Sequence, residues 1–179
     1  VDNELVAIQS PAIMAEVVNR LHLDMNYSVD GTFHKKTIYG KSLPVSVIFM
    51  DIEDNGSASA TVEITKDGNV SLTDFAWSAD GEILESEEVA NGKLSMGDGA
   101  VLAPIETPLG RVVVSPTQNY VPEDLKIFVG KSGKYAATEQ YSKLLTTALN
   151  DKKSDIINLS ITDVSTQRAV DVLNTVVAV

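Results

Sequence analysis

The stretch 60-ATVEITKDGNVSLTDFAW-77 decides how the middle of this chain is read. Two β-branched, alternating runs, Ala60 to Thr65 and Val70 to Trp77, flank Lys66-Asp67-Gly68-Asn69, whose Asp-Gly pair is a strong hairpin turn signal. Working outward, Ala79-Asp80-Gly81-Glu82 and Met96-Gly97-Asp98-Gly99 are further turns, and Arg111-Val112-Val113-Val114 reads as a buried strand ended by Pro116. Helix signals are nearly absent from Asp54 to Val114. Before that block, Tyr27 to Tyr39 reads as extended with a turn at Asp30-Gly31, and Val45 to Ile52 as a strand.

The flanks carry a different period. Ser10-Pro11 is a helix start, since Ser can cap orphan amides and Pro is pre-set for the first helical turn. Ile13, Met14, Val17, Val18 and Leu21 then mark one apolar face of a helix over Pro11 to Leu21. Leu125 to Val129 reads as a strand. Tyr135 to Leu149 reads as a helix with Ala137, Tyr141, Leu144, Leu145 and Ala148 on one side. Ile156 to Ile161 is a strand, and Asp163 or Ser165 caps a last helix with Ala169, Val172, Leu173 and Val176 on its face. The expected fold class is α+β: a mixed sheet covered by helices, with an all-β insertion in the middle of the chain. The base comprises residues 1–53 together with 115–179, and residues 54–114 form the insertion.

Composition removes several classes of function. Of 179 residues, 14 are Lys or Arg and 25 are Asp or Glu, a net charge of −11, which argues against nucleic-acid and anionic-membrane partners because those need clustered cations. The absence of cysteine excludes a disulfide framework, thiolate metal sites and a cysteine nucleophile. Nothing approaches the ~20 apolar residues of a membrane span. The opening Val1-Asp2-Asn3-Glu4 and the uncapped last helix give both ends the look of an excised segment of a longer protein.

Each tempting motif fails on spacing. Gly130-Lys131-Ser132 and Gly40-Lys41-Ser42 resemble the tail of a phosphate loop, but the required earlier Gly is Leu125 in one and Lys35 in the other. Asp51, Glu53, Asn55 and Gly56 imitate half a calcium loop, yet the twelfth position is Val62. His22 and His34 lack metal-ligand spacing, and no Gly-x-Ser-x-Gly elbow supports a triad. Glu85, Glu87 and Glu88 read as a solvated run rather than a glycosidase pair, and Trp77, which could stack a sugar, as a core residue. The Asn-x-Ser matches at Asn26, Asn55, Asn69 and Asn158 have meaning only in a glycosylating pathway. The residues themselves assign no catalytic, cofactor-binding or metal site.

The two ends together resemble the extracytoplasmic part of a polysaccharide co-polymerase, the chain-length-determinant family that includes the module of bacterial capsular tyrosine kinases. The resemblance rests on Ile8-Gln9-Ser10-Pro11 with the helix to Leu23, on Ile156 to Asp163, and on Gln167-Arg168-Ala169 with Val172-Leu173-Asn174. Val164 stands where the family usually has Pro. Thr107-Pro108-Leu109-Gly110 with its strand, and the helix Tyr141 to Leu149, lie where the kinase-linked branch would have them. The resemblance implies an inner-membrane protein with a membrane helix on each side of a periplasmic module. It implies ring-like self-association, work with polysaccharide polymerase or export machinery, and control of the length and export of capsular polysaccharide, exopolysaccharide or O-antigen. In the kinase-linked branch a cytoplasmic ATP-binding domain follows, while the module itself needs neither catalysis nor a cofactor. Without its membrane tether the segment is expected to be monomeric or weakly associating. A carbohydrate-binding or adhesin-type surface module, with Trp77 at its site, is the competing expectation.

Overall fold

A computed structural model describes residues 10–96, 102–150, 171, 172, 174 and 175. It divides into two compact units, one formed by residues 1–25 and 132–179 and the other by Asn26–Lys131.

In the first unit, α1 (Pro11–Leu21) begins with Ser10 in extended conformation. Ser10 supplies its carbonyl to Met14 N–H (3.2 Å), while its hydroxyl makes no cap bond. His22 ends the helix in the left-handed region (φ 51°), a position more often given to Gly. α2 (Lys134–Asn150) buries Ala137, Tyr141 and Leu145, a spacing of one helical turn. Met14, Val17, Val18 and Leu23 join these three and Val172 in one cluster, with Ile13, Leu21 and Leu144 packed at its margin. Each buried aliphatic side chain of this kind contributes about 1.5–3 kcal/mol. The apolar faces expected of the first two helices are thus present as far as Leu145, and the side chain of Ala148 lies outside the described residues. The expected strand at 156–161 and most of the last helix lie outside the described residues.

The second unit is built from strands. Its larger sheet contains β1 (Met25–Asp30), β2 (Lys35–Ile38), β4 (Ala58–Ile64), β5 (Asn69–Ala79), β6 (Glu82–Ser86), β7 (Ala90–Lys93) and β10 (Leu125–Lys131), in the order β2-β1-β10-β4-β5-β6, with β7 also on β5. The smaller sheet is β3 (Val45–Phe49), β9 (Gly110–Pro116) and β8 (Ile105–Thr107), in the order β3-β9-β8.

Register decides which residues share a face. Ile127 lies opposite Val62 and Val129 opposite Ala60, while Val62 faces Leu72 and Ile64 faces Val70 on the other side of β4. Tyr27 pairs with Ile38, and all of these side chains are buried. In the smaller sheet, Phe49 and Ile105 both neighbour Val112, and Val47 neighbours Val114. The two apolar faces meet at Gly92 of β7, beside Val70, where a Cβ would lie 2.4 Å from Ile105 Cγ1. Glycine is therefore what lets Ile105 lie against the strand. Tyr27 adds a polar tie, its hydroxyl accepting the Val47 N–H (3.0 Å) in a buried setting.

Strand β5 keeps its apolar residues inward by means of a bulge. Val70 and Leu72 point to the core, and strict alternation would send Asp74 there next. Instead the pairing shifts between Ser59 and Thr61 of β4, and Asp74 takes φ 55°, which turns it outward and returns Phe75 to the core. The β5–β6 turn uses Asp80 and Gly81, both at positive φ (51° and 79°), the conformation whose twist matches paired strands.

The expectation of a mixed sheet covered by helices is overturned. Among the described residues strand outweighs helix, 44% against 22%, and the strands form two antiparallel sheets. β10 was assigned to a helix-covered base, yet it pairs with β4 from Leu125↔Ile64 to Lys131↔Ala58, and β3 pairs with β9 along its whole length. The helices satisfy their apolar faces among themselves, and the sheets bury theirs against each other.

Position 74 gives a direct check on the bulge. A β-branched residue at positive φ costs about 1–2 kcal/mol, whereas Gly tolerates it. Asp74→Val is expected to lower the urea midpoint clearly and Asp74→Gly to hold or raise it. Equal loss from both would show that the conformation at 74 is not what matters.

Candidate functional site

The second unit has an open groove of about 670 Å³, lined by residues 51–53, 55 and 56 after β3, by 77–81 at the β5–β6 turn and by Pro108 and Leu109. Its floor is set by the join between β3 and β9. Asp51 Oδ2 accepts the Arg111 N–H at 2.7 Å and Arg111 Nε at 3.1 Å, while Oδ1 accepts from Nη2 at 2.9 Å. This two-pronged contact holds the carboxyl of Asp51 below its ordinary 3.8, at about 2, chiefly through the Arg111 side chain and then its backbone N–H. The Arg111 guanidinium is correspondingly shifted upward by Asp51.

Gly110 makes the approach possible. It sits at φ 103°, and a Cβ there would lie 2.6 Å from Asp51 Cβ and 2.7 Å from Oδ2. No other residue type fits both the backbone angle and the space. Lys131 fastens the rim, its Nζ donating to the carbonyls of Asp54 (2.9 Å) and Gly56 (2.8 Å). Ser78 N–H donates to the Ser57 carbonyl (3.0 Å), and Ser57 N–H returns a bond to Ser78 Oγ (2.9 Å).

The lining combines the carboxylates of Asp51, Glu53 and Asp80, the Asn55 amide and the Ser78 hydroxyl with the half-buried indole of Trp77. A flat aromatic beside several hydrogen-bonding groups suits a hydroxyl-rich ligand such as a sugar. It is poorly suited to phosphate, because acidic side chains outnumber free cations along it.

The other motifs fall elsewhere. Gly130 and Lys131 are the last two residues of β10, the Lys131 ammonium is committed to the groove rim, and Ser132 N–H donates to the Asp24 carbonyl (2.8 Å), so no cradle of amides forms. Gly40–Ser42 is a 3-10 turn in which Ser42 Oγ accepts from Tyr39 N–H and donates to its carbonyl, both at 2.9 Å. Asp51, Glu53, Asn55 and Gly56 do form one loop, but among the described residues no group of three acidic or His side chains could hold a metal ion. His22 caps α1, and His34 is exposed beside β2. Glu85 is exposed on β6, and Glu87 and Glu88 follow it, equally exposed. Asn158 lies outside the described residues. Trp77, read as core, instead borders the groove and sits opposite Ala58 and Leu84. The Asp51–Arg111 pair was missed, because 60 residues separate its members.

No family model and no curated protein sequence matches the chain.

A carboxyl held lower in the folded state than in the unfolded chain stabilises the fold at pH above its ordinary value, and that contribution is lost as pH falls through the folded value. Wild-type melting temperature is therefore expected to drop between pH 3.8 and about 2 more steeply than that of Asp51→Asn, which lacks the titrating group. Parallel curves in thermal melts followed by circular dichroism would contradict the pairing.

Proposed function

We propose that the chain is the periplasmic module of an inner-membrane polysaccharide co-polymerase, acting not by catalysis but by association with copies of itself and with polymerase or export machinery. In this reading it regulates the length and export of capsular polysaccharide, exopolysaccharide or O-antigen, and in the kinase-linked branch of such proteins a tyrosine kinase domain belongs to the same parent. The supporting observation is the unit that the helices make. The two stretches resembling the family, Ser10 to Leu23 and the carboxyl-terminal part, supply Met14, Val17, Val18 and Leu23 on one side and Ala137, Tyr141, Leu145 and Val172 on the other. Residues 26–131 form their own unit. A module whose outer segments pack together suits a chain tethered at both ends. No helix among the described residues is long and apolar enough to cross a membrane, so in this reading the tethers are contributed by flanking sequence.

Deleting the parent gene is expected to change the size distribution of the host's surface polysaccharide on gels, with restoration by the wild-type gene. An unaltered distribution in the deletion strain sinks the reading.

The groove favours a second reading, a carbohydrate-binding surface module. Under it, calorimetry shows the 179-residue chain binding an oligosaccharide of the host's own polymer, and Trp77→Ala loses about tenfold in affinity, in line with ~1.4 kcal/mol for an aromatic contact. Retained binding by a folded Trp77→Ala chain would remove the groove from consideration.

A further inference from the structure

Among the described residues the larger sheet ends in two strands of opposite charge. β2, at one end, carries Lys35 and Lys36 and follows His34, all exposed. β6, at the other end, carries Glu82 and Glu85 and runs into Glu87 and Glu88, also exposed. Each edge also shows apolar surface: Phe33 beside β2 is 92% exposed, and Ile83 on β6 is 63% exposed. A bare edge with exposed apolar side chains is a template for strand pairing.

Backbone register identifies the open groups. Ser78 N–H donates to Ser57, away from β6, so Ile83 opposite it turns its own N–H and C=O outward, and Glu85 does the same two residues on. On the other edge Gly31 N–H donates to the His34 carbonyl, and alternation from there leaves the N–H and C=O of Lys35 and Thr37 outward.

We propose that β6 of one copy pairs with β2 of the next, extending the larger sheet from protomer to protomer. The proposal rests on the co-polymerase reading for its setting and specifies the surface by which copies meet. Charge selects this junction. A symmetric β6–β6 contact sets glutamates against glutamates, and β2–β2 sets lysines against lysines, both unfavourable across strands. The unlike pair is the favourable one. In an antiparallel junction, Lys35 meets Glu85 when Thr37 meets Ile83. Lys35 Nζ rests over the Phe128 ring of β10, 3.7 Å from its centroid, so meeting Glu85 requires the side chain to swing from the sheet face out to the edge. Because the two surfaces differ, the contact is head-to-tail, giving a ring where the rotation between copies closes and an open filament where it does not.

The absence of cysteine makes the test clean. Chains with a carboxyl-terminal hexahistidine tag, bound to vesicles bearing nickel-chelating lipid, are oxidised mildly as Thr37→Cys alone, Ile83→Cys alone and a mixture. Opposed residues of a hydrogen-bonded pair lie about 5.5 Å apart at Cα, within disulfide reach. The mixture is expected to give disulfide-linked dimer about fivefold above either single variant, with the Lys35–Glu85 pair, worth up to ~1 kcal/mol, supplying roughly that factor. Chains with Lys35→Glu and Lys36→Glu, or with Glu82→Lys and Glu85→Lys, are expected to lose self-association, and mixing the two sets restores it. Equal linkage by Ile83→Cys alone overturns the junction in favour of a symmetric one. Assembly that ignores both charge reversals overturns the junction and leaves the co-polymerase reading standing. No assembly on the vesicles overturns the junction and counts against that reading as well.

Discussion

The inner face of β4 is the constraint on which the second unit depends. Ala58, Ala60, Val62 and Ile64 are all buried there, and β4 is bonded on both sides, to β10 and to β5. On β10, Ile127 and Val129 lie opposite Val62 and Ala60, and on β5, Leu72 and Val70 lie opposite Val62 and Ile64. Backbone groups in such a strand are satisfied only through the ladder, so a slip by one residue would both break bonds and turn the apolar row outward. The bulge at Asp74 is the local concession that keeps the row intact. It places one residue at positive φ so that Phe75, not a carboxylate, enters the core.

The groove shows how a turn and a distant strand end make a site without a sequence motif. Asp51 ends its strand pairing beside Arg111, and Gly110 is the only residue type that leaves room for the carboxylate at that backbone angle. Because both partners remain solvent-facing, the pair orders the loop more than it stabilises the fold. The loop from Asp51 to Gly56 is then held at its far end by Lys131, a residue whose sequence neighbourhood suggested phosphate chemistry. Its ammonium is occupied by two carbonyls, and that occupation is a tertiary fact.

Local pattern made much of this legible. The helix over Pro11 to Leu21, the hairpin through Gly68, the Asp80-Gly81 turn and the strand from Arg111 to Val114 could be read because period, turn chemistry and β-branching are local properties. The fold class could not be read in the same way. Leu125 to Val129 is an apolar run that fits a parallel strand under helices as well as an antiparallel strand in a sandwich, and only its bonding to β4 separates the two. Trp77 likewise reads as core by composition. Its place at the groove follows from where the strand shift leaves the end of β5.

By itself the sequence determined where chain direction changes, which helix faces are apolar and that clustered cations and thiols are absent, since each depends on residue type and short spacing. Tertiary structure alone decided that β3 lies against β9 and β10 against β4, that Asp51 meets Arg111, and that opposite charges occupy opposite edges of one sheet. Those pairings join positions some 60 residues apart, and their energy lies in burial and hydrogen bonds that no local window contains.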